Sequence, residues 1–144
     1  MRDRAMKRLY LLFFLLLSAL TLYFLKDPLL ASAFDVSGEI GMPEHVSKNY
    51  FKPNNMLFII VKNEKDVPVA VKEVINPIFP LKFTLTKKDI ILQGLITARI
   101  KIGCVLNRSG NVGKMSPGDV YSSAPVKIFL FSKNIFLTLD SVYK

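Results

Sequence analysis

Leu81-Lys82-Phe83-Thr84-Leu85-Thr86 decides the fold class. Apolar and polar side chains alternate one for one, which in a strand sends them to opposite faces, one buried and one wet. Ile96, Ala98, Ile100 and Ile102 alternate with Thr97, Arg99 and Lys101 in the same way, and Val126, Ile128 and Leu130 flank Lys127. On either side, short runs rich in Val, Ile, Phe and Leu are punctuated by Gly, Pro, Asn and Asp. They place strands at 34–40, 56–62, 67–74, 80–86, 96–106, 124–131 and 135–143. Past residue 25 no sustained helical apolar period occurs, although 44–52 suits a turn of helix. The expected fold is all-β: an antiparallel β-sandwich or small barrel of about seven strands, behind one N-terminal hydrophobic helix.

That helix is Leu9–Leu25, seventeen residues without a charge, preceded by Arg2, Arg4, Lys7 and Arg8. At 1.5 Å per residue the run spans about 25 Å, the lower edge of a bilayer core. The basic flank predicts an N-terminus left in the cytoplasm and a remainder sent across the membrane. The sequence admits two fates for the segment. Ala31-Ser32-Ala33 has the small-x-small form of a signal-peptidase site, and a strand begins right after it. The run, however, exceeds the usual signal core of roughly 7–15 residues. No Cys directly follows the run, which excludes a lipoprotein anchor. Two regions result: 1–33, signal anchor or signal peptide, and 34–144, a periplasmic β-sandwich domain. The location is an inner-membrane, single-pass anchor with its C-terminal domain in the periplasm, or the periplasm itself if cleavage follows Ala33.

The exported part has 111 residues, enough for one core. The chain carries +9; five basic and two acidic side chains fall in 1–33, leaving +6 on the domain. Scattered lysines and an exported location argue against nucleic acid as partner. They are compatible with an acidic partner or an anionic membrane surface. Asn63–Asp66 and Ser132–Asn134 read as short hairpin loops, with Asn134 tolerating a left-handed backbone. Residues 107–123 form a long polar loop with three glycines and a proline.

Catalytic chemistry finds little support. His45 is the single histidine, and no nucleophile motif surrounds any serine. Cys104 stands alone, so no internal disulfide forms; Ile102-Gly103-Cys104-Val105 reads as a small buried position. One histidine excludes a blue-copper centre, which needs two. Met42, His45 and Met56 are the candidates for a loose Cu(I) site, with Cys104 as a further soft ligand. The chain is expected to be a binding or structural module, not an enzyme, with no cofactor and no resident metal.

The order of several short motifs resembles the C-terminal periplasmic domain of the CycH-type (CcmI) cytochrome c maturation family. Val67-Pro68-Val69-Ala70-Val71-Lys72, then Phe79-Pro80-Leu81-Lys82-Phe83-Thr84-Leu85, are similar to two of its strands. Ala98-Arg99-Ile100, Ser109-Gly110-Asn111, Pro117-Gly118-Asp119 and Ser123-Ala124-Pro125-Val126-Lys127 follow in the family's order. Ile135-Phe136-Leu137-Thr138-Leu139-Asp140-Ser141-Val142 resembles its closing strand. The chain departs in a longer connection between Ala98-Arg99 and Ser109-Gly110, in Lys87-Lys88-Asp89 where an acidic pair is usual, and in lacking the tetratricopeptide repeats. The resemblance implies a membrane-tethered accessory protein of c-type cytochrome maturation, whose partners are haem-ligation proteins or the apocytochrome. Arg99, Lys101 and Lys127 are the expected contacts to an acidic partner. The alternatives are a periplasmic copper chaperone and a structural envelope-complex subunit that uses the sandwich as a docking platform.

Overall fold

The computed structural model describes residues 2–144, with the side chains of 2–5 outside that description. Met1 of the 1–33 segment, and the side chains of Arg2 and Arg4 in its basic flank, therefore lie outside the described residues. Helix α1 runs Arg2–Ser32, about 46 Å at 1.5 Å per residue. It extends past the expected 9–25 run because Lys26-Asp27-Pro28 does not break it; Pro28 sits inside the helix. Met6–Ser32 is long and apolar enough to cross a membrane, and its side chains are almost all exposed. Its two polar breaks satisfy themselves: the Ser18 hydroxyl donates to Leu15 O at 2.9 Å and Thr21 to Leu17 O at 2.8 Å.

The remainder is mostly β, in two sheets. After β1 (Asp35–Gly41) and the short helix α2 (Glu44–Tyr50) come β2 (Met56–Lys62), β3 (Pro68–Ile75), β4 (Leu81–Thr86) and β5 (Arg99–Asn107). Then follow β6 (Val120–Tyr121), β7 (Val126–Phe129), β8 (Ile135–Thr138) and β9 (Ser141–Val142). The smaller sheet has the order β4-β1-β8; the larger runs β3-β2-β5-β6-β9, with β7 also on β5. Two sheets behind a helix match the expected fold class, and the α2 turn matches 44–52.

Several details differ from the sequence reading. The described residues hold nine strands rather than about seven. Val120–Tyr121, assigned to the long loop, pairs with β5 and β9. The closing 135–143 strand is broken at Leu139–Asp140, because Leu139 turns into the core while Asp140 accepts from the Ser123 backbone at 2.8 Å. Ile96–Ala98 lies outside β5, the 3-10 turn Gln93–Leu95 having taken up the chain just before it. β8 pairs with β1 in parallel, not antiparallel. Ser132–Asn134 is accordingly no hairpin loop: it carries the chain from the larger sheet to the smaller, with Asn134 at φ 56. Asn63–Asp66 does close an antiparallel pair, β2 with β3.

The core lies between the sheets. Val36, Ile40, Phe83, Leu85, Ile135 and Leu137 face inward from the smaller sheet, and Leu57, Ile59, Val61, Ile100, Ile102 and Leu106 from the larger. The end of α1 joins it: Leu30 packs against this cluster, Ala31 is fully buried, and Phe34 belongs to the core. Helix and domain therefore meet with no linker between Ser32 and Asp35 beyond two residues.

Candidate functional site

The three expected contact residues converge. Arg99 and Lys101, two apart on β5, project from the outer face of the larger sheet, because Ile100 and Ile102 take the inner one. Lys127 of β7 lies directly opposite Lys101, and Phe129 opposite Arg99. On the other flank Lys62 of β2 is opposite Lys101. Lys62, Lys101 and Lys127 thus form a row across three strands, an unfavourable arrangement of like charges. Asp66 relieves it by accepting from Lys101 Nζ at 2.7 Å. That hydrogen bond, and then the charges of Lys101, Lys62 and Lys127, hold the Asp66 carboxyl below its ordinary pKa.

Asp66 reaches Lys101 because the β2–β3 loop is built around Asn63, which is 3% exposed. Its Oδ1 accepts from the backbone N–H groups of Lys65 at 2.9 Å and Val67 at 3.0 Å. Its Nδ2 donates to Leu95 O at 2.9 Å, fastening the loop to the 3-10 turn. Beside the lysine row lies a shallow, open groove of about 510 Å3, bordered by Glu64, Arg99, Lys101, Lys127 and Phe129. The Arg99 guanidinium is 5.8 Å from the centre of the Phe129 ring, within cation–π range. Phe129 stacks on Phe131 with centroids 5.9 Å apart and ring planes at 13°. Sequence reasoning found the three cations but missed Lys62, Asp66 and the two phenylalanines. Phe129-Leu130-Phe131 carried the signal: an inward leucine between two aromatics that must then face outward.

The opposite end holds a second, polar cleft of about 560 Å3 between α2 and the loop after β5. Asn107 orders this loop by donating to Asn111 O at 2.9 Å and accepting from the Gly110 N–H at 3.1 Å. Asp119 accepts from the Ser116 N–H at 2.7 Å. Asn55 lines the cleft. A third feature is β8, which ends the smaller sheet with its outer edge unpaired among the described residues and Phe136 61% exposed.

The residues considered for metal or redox work are dispersed. Cys104 is buried in the core, and burial pushes its thiol up to about 12. Met42 packs against the core, His45 is on the exposed side of α2, and Met56 Sδ lies where a side chain at Gly110 would meet it. Among the described residues no group of three or more His, Cys, Asp or Glu is placed to hold a metal.

No family model and no curated protein matches the chain. Its fold is similar to that of an alternative pilotin from the type II secretion system of Vibrio cholerae. The TM-score is 0.50 at 14% identity, over 73% of this chain and 93% of that one.

Proposed function

We propose that the chain is a membrane-tethered, non-catalytic accessory module that docks a partner within a multiprotein assembly of the cell envelope, its β domain facing the periplasm. The seating of the last turn of α1 in the core carries this reading. Signal peptidase needs an accessible, extended site, yet Ala31 is fully buried and Ser32 is still helical. Cleavage after Ala33 would remove Leu30 and Ala31 from the packing of the domain. Both features support a retained helix, and on this reading the protein is expected to fractionate with membranes with α1 still attached. Short β8, its outer edge unpaired among the described residues, offers an edge to which an extended segment of a partner adds as a further strand, with Phe136 beside it as an apolar anchor. The fold likeness to a secretion-system pilotin supports an assembly of the secretion type. The order of motifs shared with the CycH-type family supports a second reading, an accessory role in c-type cytochrome maturation.

One strain tests both. In cells lacking the protein, proteins exported through a type II system and haem-stained cytochromes are measured in parallel, with the intact gene as rescue. Under the first reading exported proteins accumulate in the periplasm and the cytochrome pattern is unchanged. Loss of haem-stained bands with secretion intact overturns it in favour of maturation. No change in either overturns both.

A further inference from the structure

The point where α1 enters the core defines which end of the β domain faces the bilayer. β1 begins at Asp35, three residues past the helix, and its register brings other segments to the same end. Asp35 is opposite Thr86, so the 3-10 turn Lys87–Asp89 follows there. The Asp35 N–H donates to Leu130 O at 2.9 Å, and the Leu130 N–H to Ala98 O at 3.1 Å, which adds Arg99 and the Phe129–Phe131 segment. Leu95, bonded to Asn63, packs beside α1 and brings the β2–β3 loop and the lysine row.

An α1 that crosses the bilayer puts this end at headgroup depth. From Leu25, the last residue of the uncharged run, to buried Ala31 is six residues, about 9 Å of helix. The polar layer on each side of the hydrocarbon core is itself about 5–8 Å deep. A domain held so closely rests on the membrane surface, and what it exposes there suits that surface. Phe129, Phe131 and Leu95 are 47%, 62% and 48% exposed, and Ile91 and Leu92 stand out beside them. Aromatic side chains favour the interfacial layer, and basic ones are drawn to anionic lipid. Acids at this end are mostly engaged: Asp66 by Lys101, Asp35 by Lys133 at 2.5 Å, and Asp89 by the Thr86 N–H at 2.7 Å. Glu64 stands at the groove, while Arg99, Lys62, Lys127, Lys87 and Lys88 carry charge outward.

We propose that this end of the β domain is a membrane-docking surface whose occupant is the anionic phospholipid of the same bilayer that α1 crosses. Phe129 and Phe131 enter the headgroup layer; Arg99 and Lys127 bind lipid phosphates on either side of them. Docking fixes the orientation of the domain, so the polar cleft at its far end points away from the membrane. The proposal rests on α1 being a retained anchor.

The chain contains no tryptophan, so a single substitution creates a unique probe. Full-length protein carrying Phe131→Trp, or Tyr50→Trp at the far end as control, is reconstituted into vesicles of phosphatidylglycerol with brominated phosphatidylcholine. Phe131 is 62% and Tyr50 39% exposed, so both have room for an indole, and Trp at position 131 keeps an aromatic ring against Phe129. Emission at position 131 is expected to be quenched at least twofold more than at position 50. The excess is expected to fall by half or more on adding Arg99→Gln and Lys127→Gln, or on replacing the anionic lipid by a zwitterionic one. Equal quenching at the two positions overturns the proposal and leaves the basic groove to a protein partner; quenching indifferent to charge overturns the role of the cations. Flotation after alkaline washing is read on the same samples: protein that fails to float refutes the anchor itself, whereas protein that floats unquenched refutes only the docking.

Discussion

Gly38 to alanine is the perturbation that probes the β1–β8 pairing most sharply. A Cβ built on Gly38 falls 2.0 Å from the carbonyl oxygen of Ile135, and ordinary contact begins at 3.4 Å. The obstacle is backbone, so relief requires β8 to retreat by about 1.4 Å, the difference of those distances. A displacement of that size breaks two or three of the parallel β1–β8 hydrogen bonds, each worth about 1 kcal/mol net. It also loosens Ile135 and Leu137, which are 8% and 2% exposed. The sum is about 3–4 kcal/mol, or a fall in Tm of about 12–16 °C at roughly 4 °C per kcal/mol for a domain of this size. The assay is thermal unfolding of the full chain in detergent by circular dichroism, together with amide exchange. Ile135–Leu137 amides lose protection while β2 and β5 keep theirs. Gly94→Ala is the control: nothing lies within 4 Å of its added methyl group, and stability stays within about 0.5 kcal/mol of the parent. A Gly38→Ala protein as stable as Gly94→Ala refutes the close parallel approach.

Three further outcomes are expected. Asn63→Ala removes three hydrogen bonds from a buried side chain and costs about 2–3 kcal/mol by urea unfolding, with Asp66 no longer held against Lys101; an unchanged midpoint shows that the loop orders itself without Asn63. Ala31→Glu, though within the membrane-length helix, destabilises the β domain by at least about 2 kcal/mol because it buries a charge in the core; β-domain unfolding that ignores it disproves the shared packing. The buried Cys104 thiol, pushed up from 9.0 to about 12, stays protonated in the folded chain while the unfolded chain ionises. Its stabilising contribution is thus complete below about pH 9 and lost as pH rises towards 12. Cys104→Ala should flatten that alkaline decline, and thiol reagents should label the parent only after denaturation; rapid labelling of native protein at pH 8 contradicts the burial.

Local pattern carried most of the secondary structure. Alternation in Leu81–Thr86 and Ile96–Ile102 is a short-range property, since side chains two apart share a face whatever the strand pairs with. The uncharged run after a basic flank likewise announced a membrane-length helix, because bilayer thickness sets its length. Sequence reading also picked out Arg99, Lys101 and Lys127 as outward-facing cations. What these elements meet follows from pairing through space. The parallel β1–β8 pair joins residues almost a hundred positions apart, and a strand's own sequence does not name so distant a partner. Val120–Tyr121 is too short to show a period, so it becomes a strand only because β5 and β9 flank it. Register alone set Lys62, Lys101 and Lys127 in one row and Phe129 against Arg99. The uncharged run ends at Leu25, yet the helix continues through Pro28 to Ser32, where Leu30 packs on the core and Ala31 is fully buried. Alternation and hydropathy are read along the chain, whereas pairing, register and the meeting of helix with domain follow from closing loops through space and burying the faces that result.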